Sequence, residues 1–436
     1  MAPDDRSKGS TSTERARIPH RLRRADDQDT GGDSVVPRRL LVIGAGPLQT
    51  PAIVAGQQLG LEVIATDQNP RAHGADVADR FYPISTVDLE ATVCVAQELH
   101  VDAVLTLGTD YPVRTVAEVA RRLGLPGPST QTARAATDKH LMYLAFREHG
   151  VPCPRTELVH SVGEAESAAN GVGYPVVVKP TDRSGSAGVA FATEPGAVPQ
   201  AYRRASAEAR GGEVLVQEYI AGDELSVETM SYGSVFAVVA ITSKLTTGPP
   251  YFVELGHCVP ADLDAKTQRL VSDTARRAAL ALGVTSGPTH TEMKVTGAGA
   301  TIIELGARLG GDHITSHLVP LATGVSMVNA AIHAALGEQP NLAPTLCRAA
   351  AIRYLCPAPG RVRRIQGSVS ARSLPGVEGV SVEAACGDLV REVRSSADRV
   401  GWVIAVGDTP HEAVLRADNA RRAIRIETWP DGSPIR

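Results

Sequence analysis

The chain has 436 residues, a charged fraction of 21% and a formal net charge of -4. This length exceeds what one hydrophobic core usually supports, so we expect two or three domains. The charge balance gives no basic surface for nucleic acid, and no apolar run approaches the roughly 20 residues of a membrane span. Its 6 cysteines are scattered without the close pairs of a zinc site. We therefore expect a cytoplasmic protein whose partners include neither nucleic acid nor membrane.

Residues 1–36 are rich in Arg, Asp, Ser, Thr and Gly and contain almost nothing to bury. The arginines are compatible with an organelle transit peptide. The four aspartates between positions 26 and 33 argue against that interpretation, because such peptides are poor in acids. We predict a disordered leader over residues 1–36.

Ordered structure is predicted from RRLLVIGAG, an apolar strand that ends in glycines. A helical pattern and a second strand, LEVIATDQNP, follow it, and residues 103–110 form a further buried strand. This alternation predicts a small doubly wound α/β domain. GAGPLQ and the later Asp67 are similar to a dinucleotide fingerprint, but Gln49 replaces the third glycine. A glycine turn is therefore favoured over an NAD site.

Two lysines follow at positions suited to phosphate. ATDKHLMYLAFREHG predicts a helix with Asp138 as its N-cap and Lys139 in its first turn, where the helix dipole disfavours a cation. An anionic ligand would explain that lysine, and a solvated surface lysine is the alternative. YPVVVKPTDRSGSAGVAFA predicts a strand that ends in Lys179 and a Gly/Ser loop able to surround an anion. The loop lacks a Walker motif, so an ordinary hairpin turn is its alternative.

VLVQEYIAGDELSVETM predicts two strands separated by a break at Ala221 and Gly222. Backbone groups beside such a break can hydrogen-bond an adenine edge, and Glu224 could accept bonds from ribose hydroxyls. The alternative is a plain sheet strand with a bulge.

HTEMKVTGAGATIIELGARLGG predicts a hairpin, with TGAGA as its turn. If the hairpin is symmetric about Ala298, Glu292 and Glu304 face each other about 5 Å apart and repel unless a cation lies between them. A divalent cation would resolve that repulsion. The alternative is an asymmetric turn that directs one glutamate into solvent.

The order of these segments along residues 39–425 resembles the ATP-grasp superfamily. The resemblance implies an α/β (α+β) protein of ATP-grasp fold that uses ATP with Mg2+ or Mn2+. It divides the chain after the leader into an N-terminal Rossmann-like domain, an ATP-grasp domain with a central lid subdomain, and a small C-terminal closing domain. The boundaries implied are 37–128, 129–340 with the lid at about 152–223, and 341–436.

The same resemblance assigns roles to residues. Lys139 and Lys179 are similar to the two phosphate lysines of the family, and Glu292 and Glu304 are similar to its metal ligands. The residues implied to contact the nucleotide from the lid loop, the adenine hinge and the ribose site are Ser184, Gly185, Ser186, Gly188, Gln217, Glu218, Tyr219, Ile220 and Glu224.

Catalytic roles are implied for Arg308, Lys179 and His257, with Arg308 binding a carboxylate or its acyl phosphate. Substrate contacts are implied for Glu254, His257, Arg308, Gly311 and Asp312. Asp312 could bind a cationic group of a substrate or cap the helix predicted from HITSHLVPLA. For each histidine of the region, a structural hydrogen bond is the alternative to catalysis.

Gly306 stands where biotin carboxylase relatives carry an asparagine, and the segment VELGHCVPA and the C-terminal runs are more similar to the L-amino acid ligases. The resemblance thus implies a carboxylate-amine ligase that joins two amino acids into a dipeptide or amide through an acyl phosphate, releasing ADP and phosphate. Its partners would be small carboxylate and amine substrates, and a homodimer is left open. The alternatives are a purine-pathway or biotin-carboxylase-like enzyme that uses formate or bicarbonate, and a nucleotide sensor without turnover.

Overall fold

A computed structural model describes residues 37–429. The predicted leader, residues 1–36, lies outside the described residues. Within the described range the chain folds into mixed α/β structure with four sheets. The expectation of an α/β protein is confirmed.

The first sheet is parallel, with strand order β3-β2-β1-β4. Leu40 and Val42 pack in one core, while Leu41 and Ile43 pack in another, so both faces of the sheet are covered. The strands are β1 (Arg39–Ile43), β2 (Glu62–Thr66), β3 (Arg80–Tyr82) and β4 (Ala103–Leu105). The helices of this part and of the segment after it are α1 (Thr50–Gln58), α2 (Leu89–Glu98), α3 (Pro112–Leu123), α4 (Thr130–Ala136) and α5 (Lys139–Glu148).

The glycine turn after β1 is closed by Gln49, whose side chain is buried. Its Oε1 accepts a hydrogen bond from Gly46 N at 3.1 Å, and its Nε2 donates to the carbonyl of Leu107. Asp67 Oδ2 accepts from Ala45 N at 3.1 Å. The two side chains that distinguish this turn are thus engaged in the loop itself, which supports a glycine turn over a dinucleotide site.

A second, antiparallel sheet has the strand order β5-β8-β6-β7. The apolar residues that alternate along its strands pack against two helices, because the apolar face of an antiparallel sheet must be shielded from water. The strands are β5 (Thr156–Val159), β6 (Val176–Pro180), β7 (Ala190–Ala192) and β8 (Val214–Glu218), and the helices are α6 (Val162–Val172) and α7 (Val198–Glu208).

The largest sheet begins with five strands in the order β13-β12-β9-β10-β11. These are β9 (Asp223–Tyr232), β10 (Val235–Thr246), β11 (Glu254–Val259), β12 (Gly287–Thr296) and β13 (Gly299–Gly306). The helices of this part are α8 (Ala265–Ala281), α9 (Val319–Thr323) and α10 (Met327–Ala335).

The C-terminal part completes the same sheet, because β14 pairs with β11 and is followed by β18 and β16. The remaining strands form a small sheet in the order β17-β15-β19. The strands are β14 (Ala349–Tyr354), β15 (Gly360–Gln366), β16 (Val377–Val382), β17 (Leu389–Val390), β18 (Gly401–Gly407) and β19 (Arg425–Trp429), and the helices are α11 (Ser368–Arg372) and α12 (Pro410–Ala423).

The hairpin of β12 and β13 opposes Glu292 and Glu304, as predicted, but for a different reason. Thr296 pairs with Gly299, so the turn holds two residues and is not symmetric about Ala298. A β-bulge after Glu292 shifts the register by one residue and brings the two carboxylates opposite each other. The prediction of their opposition is confirmed, and the predicted symmetry is wrong.

The segment predicted as a helix from HITSHLVPLA begins as a π-helical turn, Ile314–Leu318. No side chain caps it, and Asp312 and His313 have φ of 50° and 62°. The capping alternative for Asp312 is therefore wrong. Between residues 37 and 429, no single helix is long and apolar enough to cross a membrane, although one pair bent by 114°, Ile314–Thr323 with Met327–Ala335, meets the criteria of length and composition.

Candidate active site

A deep cleft lies between the β5–β8 sheet and the largest sheet. It brings together most of the residues predicted to contact nucleotide, metal or carboxylate, although they come from one helix, five strands and three loops. Its lining includes Lys139, Lys179, Ser184, Gly185, Ser186, Gln217, Glu218, Tyr219, Ile220, Glu224, Glu292, Glu304 and Arg308.

Lys139 is buried at the start of α5 and is not the solvated surface lysine of the alternative interpretation. Asp138 caps the helix as predicted, accepting from His140 N at 3.0 Å and from Leu141 N at 3.2 Å. The Lys139 Nζ lies 2.9 Å from Glu304 Oε1. Burial opposes its charge, but Glu304 and Asp110 outweigh burial and raise the pKa of Lys139. The group is therefore a fixed cation inside the cleft.

Lys179 is also buried, and its Nζ donates to Tyr143 Oη at 3.1 Å. Burial lowers the pKa of Lys179 to about 8, since the attraction of Glu304 is partly offset by the positive charge of Lys139. A lysine that contacts no carboxylate among residues 37–429, in a cleft beside a second lysine, is suited to bind an anionic ligand.

The Gly/Ser loop between β6 and β7 borders the cleft through three of its predicted residues. Gly188 is the exception: it has φ of +76°, and a side chain there would meet Glu208 and Pro180 at 2.8 and 2.9 Å. Gly188 is thus required by packing and does not line the cleft. The Tyr111 hydroxyl donates to the carbonyl of Asp182 and so connects the loop to the segment after β4.

The end of β8 and the following residues border the cleft beside a cluster of aromatic rings. Phe191, Tyr219 and Phe252 pack with ring centroids 4.9 to 6.0 Å apart. Gln217 is buried, and its Nε2 has no hydrogen-bond partner among the described residues. A buried donor without a partner is costly, so this amide is available to a ligand. Phe252 was not predicted, because it comes from the loop between β10 and β11.

The carboxylates on β9 and β12 form a ladder with basic groups on one face of the sheet. Glu224 is opposite Lys294, and Glu228 is opposite His290. The Nδ1 of His290 lies 2.5 Å from Glu228 Oε1. Although burial opposes it, Glu228 raises the pKa of His290 to about 9, so this histidine is positively charged at neutral pH. It cannot accept a proton there, which favours the structural alternative.

Lys244 stands at the centre of this face and was missed by the sequence analysis. Its Nζ lies 2.8 Å from Glu224 Oε1, 2.8 Å from Glu292 Oε1 and 3.4 Å from Glu254 Oε1. Only 2% of its side chain is exposed. Despite burial, these carboxylates raise the pKa of Lys244 well above the usual value of a lysine. Lys244 in turn holds the pKa of Glu292 well below the usual value of a glutamate. The one available signal was a single charge in the otherwise uncharged strand VFAVVAITSKLT.

A second cavity adjoins the cleft and holds the residues predicted to contact substrate. Glu254, His290, Glu292 and Arg308 border both spaces. His257, Gly311 and Asp312 line the second cavity alone, together with C-terminal residues that were not predicted: Tyr354, Glu383, Ser396, Ala397, Arg399, Gly401 and Trp402.

Arg308 follows β13 at the junction of the two spaces. Its Nε donates to Asp110 Oδ1 at 2.8 Å, and its Nη1 donates to the carbonyl of Leu309 at 3.2 Å. These two contacts fix the guanidinium plane. Burial opposes the charge, but Asp110 and Glu304 raise the pKa of Arg308. Asp312 instead forms a two-pronged pair with Arg399, at 2.7 and 2.8 Å. To bind a cationic substrate group, Asp312 would therefore have to give up its contacts with Arg399.

Comparison with known families identifies two parts of the chain. Residues 172–316 match the ATP-grasp domain, and residues 353–428 match the L-amino acid ligase C-terminal domain 2. Residues 172–316 therefore form an ATP-grasp domain. ATP-grasp enzymes use ATP with Mg2+ or Mn2+, and the family assignment supports an ATP-dependent carboxylate-amine ligase.

Similar proteins include ligases and one formyltransferase. Human carnosine synthase 1 is 27% identical over 345 residues, 72% of this chain and 41% of that protein. Alanine-anticapsin ligase of Bacillus subtilis is 28% identical over 246 residues, 51% of this chain and 52% of that protein. The chain thus matches about half the length of each ligase or less. Formate-dependent phosphoribosylglycinamide formyltransferase of Ignicoccus hospitalis is 27% identical over 402 residues, 89% of this chain and 96% of that protein.

Among solved structures, the L-amino acid ligase of Bacillus licheniformis superposes with a TM-score of 0.78 at 21% identity. The superposition covers 90% of this chain and 99% of that one. At this identity the likeness establishes the fold, which is the ATP-grasp fold expected from the sequence.

Proposed function

We propose that the chain uses ATP to join the carboxylate of one small amino acid to the amine of a second, releasing ADP and phosphate. The observation that carries this proposal is the origin of the second cavity. One side of it comes from Tyr354, Glu383 and residues 396–402, all within the segment that matches the L-amino acid ligase C-terminal domain. The part of the chain shared with these ligases is thus the part that faces the space beyond Arg308.

In this proposal the nucleotide lies in the cleft. Lys139 and Lys179 bind its phosphates as point charges, and the backbone of the loop from Ser184 to Ser186 covers them. The hinge after β8 contacts the adenine beside Gln217, whose Nε2 has no hydrogen-bond partner among the described residues. Glu224 receives the ribose hydroxyls, as the sequence resemblance implied.

The opposed carboxylates of Glu292 and Glu304 fit a hard divalent cation, because their oxygens are the ligands that Mg2+ and Mn2+ prefer. When bound there, such an ion would neutralise phosphate charge. For Glu292 to serve, its oxygen must be shared with the Lys244 ammonium, which contacts it at 2.8 Å. Lys139 has the same relation to Glu304 at 2.9 Å. Burial opposes the charge of Glu292, but Lys244 lowers the pKa of Glu292 and so keeps this carboxylate deprotonated and able to bind a cation.

A carboxylate does not react with amines at neutral pH, so activation must come first. A carboxylate oxygen attacks the γ-phosphorus, the bond from that phosphorus to the bridging oxygen breaks, and ADP leaves. The amine then attacks the acyl carbon, phosphate leaves, and the amine nitrogen loses a proton. Arg308 would bind the carboxylate through two parallel hydrogen bonds from its planar guanidinium. It would also offset the negative charge that develops on the reacting oxygens.

His257 is a candidate acceptor for the amine proton. It is buried on β11, its Nε2 lies 3.5 Å from Asp312 Oδ2, and that distance is too long for a good hydrogen bond. Neither ring nitrogen has a hydrogen-bond partner among the residues from 37 to 429. Glu254 lies on the same strand and borders both spaces, where it could bind the substrate ammonium.

One alternative is an enzyme that uses formate or bicarbonate, which the nearly full-length similarity to the Ignicoccus formyltransferase favours. Gly306 argues against an enzyme that uses bicarbonate. A Cβ at that position would lie 3.1 Å from Asp110 Oδ1 and 3.2 Å from the guanidinium of Arg308. The asparagine of the carboxylase relatives would therefore require the side chains of this pair to shift by a few tenths of an ångström.

The test is ADP release from the full chain with Mg2+ and each amino acid, singly and in pairs, with formate and bicarbonate as further additions. The proposal expects release that requires a pair, and a dipeptide detected by mass spectrometry. Release with formate or bicarbonate alone would support the alternative. ATP binding without release under every addition would indicate a nucleotide sensor and overturn the proposal.

A further inference from the structure

One wall of the second cavity contains rings that pack against one another in tilted and edge-to-face arrangements. The ring centroids of His313 and Trp402 lie 4.8 Å apart, and those of His313 and His317 lie 4.9 Å apart. His313 and Trp402 line the cavity, while His317 stands behind them. We name these three residues the ring wall. Two of them follow Arg308 in the chain, and the third comes from β18.

The ring wall is uncharged at neutral pH. Burial, together with the neighbouring His317, lowers the pKa of His313 to about 4, and burial also lowers the pKa of His317. The imidazole rings are therefore neutral, like the indole of Trp402. Flat, neutral rings bind another flat ring through offset or edge contacts.

The charged groups near the ring wall are mostly satisfied by each other. Arg399 holds Asp312 through two hydrogen bonds, and its guanidinium lies 3.7 Å from the centre of the Tyr354 ring. Glu383 also lines the cavity, and it has no ion-pair partner within the described part of the chain. Among the described residues that line the cavity, Glu383 is thus an exposed carboxylate without an ion-pair partner, whereas Lys244, Arg308 and Arg399 each contact a carboxylate.

We propose that the ring wall is the side-chain subsite for one of the two amino acids, and that it takes an uncharged aromatic side chain and rejects an acidic one. This inference rests on the ligase function proposed above. An aromatic ring gains contacts with Trp402 and His313 that a branched aliphatic chain cannot reproduce. An acidic side chain would face Glu383 without a compensating charge.

The experiment measures dipeptide formation with alanine as one substrate and phenylalanine, leucine or glutamate as the other. Phenylalanine should exceed leucine by roughly five- to tenfold in kcat/KM. It should exceed glutamate by roughly ten- to fiftyfold, because glutamate lacks the ring contacts and is repelled by Glu383, whose exposed carboxylate is partly screened by water. Either order of residues in the product supports the subsite.

Two variants attribute the preference to the ring wall. His313→Asn removes the ring and keeps a residue that tolerates the left-handed backbone at φ of 62°. It should reduce the ratio of phenylalanine to leucine to about one. Trp402→Phe keeps a flat ring and should retain most of that ratio. His100→Asn is the matched control, since His100 has φ of 48° and is exposed on another surface.

The outcomes separate this inference from the function beneath it. Dipeptide formation in which leucine or glutamate equals phenylalanine would overturn the subsite and leave the ligase function standing. An unchanged ratio in His313→Asn would do the same. If no amino acid pair supports ADP release, both proposals fail together.

Discussion

Arg308 Nε lies 2.8 Å from Asp110 Oδ1, although 198 positions separate the two residues. Asp110 follows β4 of the first sheet, and Arg308 follows β13 of the largest one. The two segments meet where Leu107 and Leu309 form a parallel β-bridge. The pair thus connects the N-terminal sheet to the proposed carboxylate site and fixes the guanidinium that we assign to the substrate.

Replacement of Arg308 tests that assignment. Arg308→Lys keeps a positive charge but loses the planar fork, so it cannot grip a carboxylate with two parallel bonds. We expect product formation to fall by a factor on the order of 100, and ADP affinity to stay nearly unchanged. Hydroxylamine offered with the correct amino acid should trap the acyl phosphate as a hydroxamate in the wild type and much less in the variant.

Arg353→Lys is the matched control for this change. Arg353 is buried on β14 and pairs with Asp418 at 3.2 Å, but it borders neither the cleft nor the second cavity. Its variant should lose stability without losing turnover per folded molecule. If Arg308→Lys instead lowered ADP affinity while the residual chemistry was unaltered, Arg308 would belong to the nucleotide site.

Lys179→Ala and Glu304→Gln should each abolish ATP turnover while the protein stays folded. Within the described part of the chain Lys179 contacts no carboxylate, and the Tyr143 hydroxyl that it reaches also donates to the carbonyl of Ile303. Its loss therefore leaves that tyrosine with a partner. Melting temperatures check the fold, and Lys266→Ala on the exposed surface of α8 serves as the lysine control. Near-normal phosphate release from either variant at saturating Mg2+ would refute the site assignment.

Nucleotide affinity should depend on pH through Lys179. Burial lowers its pKa to about 8, so the ammonium is present below that pH and is lost above it. If only the protonated lysine binds phosphate, ADP affinity should fall up to about tenfold per pH unit above 8. Lys139 does not contribute to this loss, because its pKa is raised.

Calorimetric titration with ADP in EDTA, between pH 6.5 and 9.5, measures this dependence without a metal ion. Lys179→Arg keeps its charge over the whole range and should give a flat profile. A wild-type affinity that is constant up to pH 9.5 would contradict the prediction.

The parts of the site that the sequence predicted depend on local patterns. The N-cap Asp138 identified the start of α5, and the apolar run before Lys179 identified the end of β6. Backbone sterics and alternation within a few residues determine such positions. The opposition of Glu292 and Glu304 was also local, although the bulge that produces it left no sequence signal that we recognised.

The parts that were missed depend on long-range pairing. Nothing near Arg308 indicates that Asp110 will hold it, and nothing near Asp312 indicates Arg399. Strand order beyond neighbouring segments is equally hidden, so the C-terminal strands were not expected to extend the largest sheet beside β11. Tertiary contacts decide these features, and residue patterns along the chain do not encode them in a readable form.

Replacement of Lys244 tests the role of its buried ammonium, which three carboxylates surround. Lys244→Met removes that charge and leaves Glu224, Glu254 and Glu292 facing each other. We expect a loss of about 3 to 5 kcal/mol in the free energy of unfolding, as for other broken buried ion pairs, and a partial recovery with millimolar Mg2+.

The Lys244→Met variant should also bind Mn2+ without nucleotide, measured by paramagnetic resonance, whereas the wild type should need nucleotide. Lys294→Met is the control, since Lys294 contacts only Glu224 of these acids, at 2.8 Å. Equal Mn2+ binding by the wild type and Lys244→Met, both without nucleotide, would show that Lys244 does not compete for Glu292.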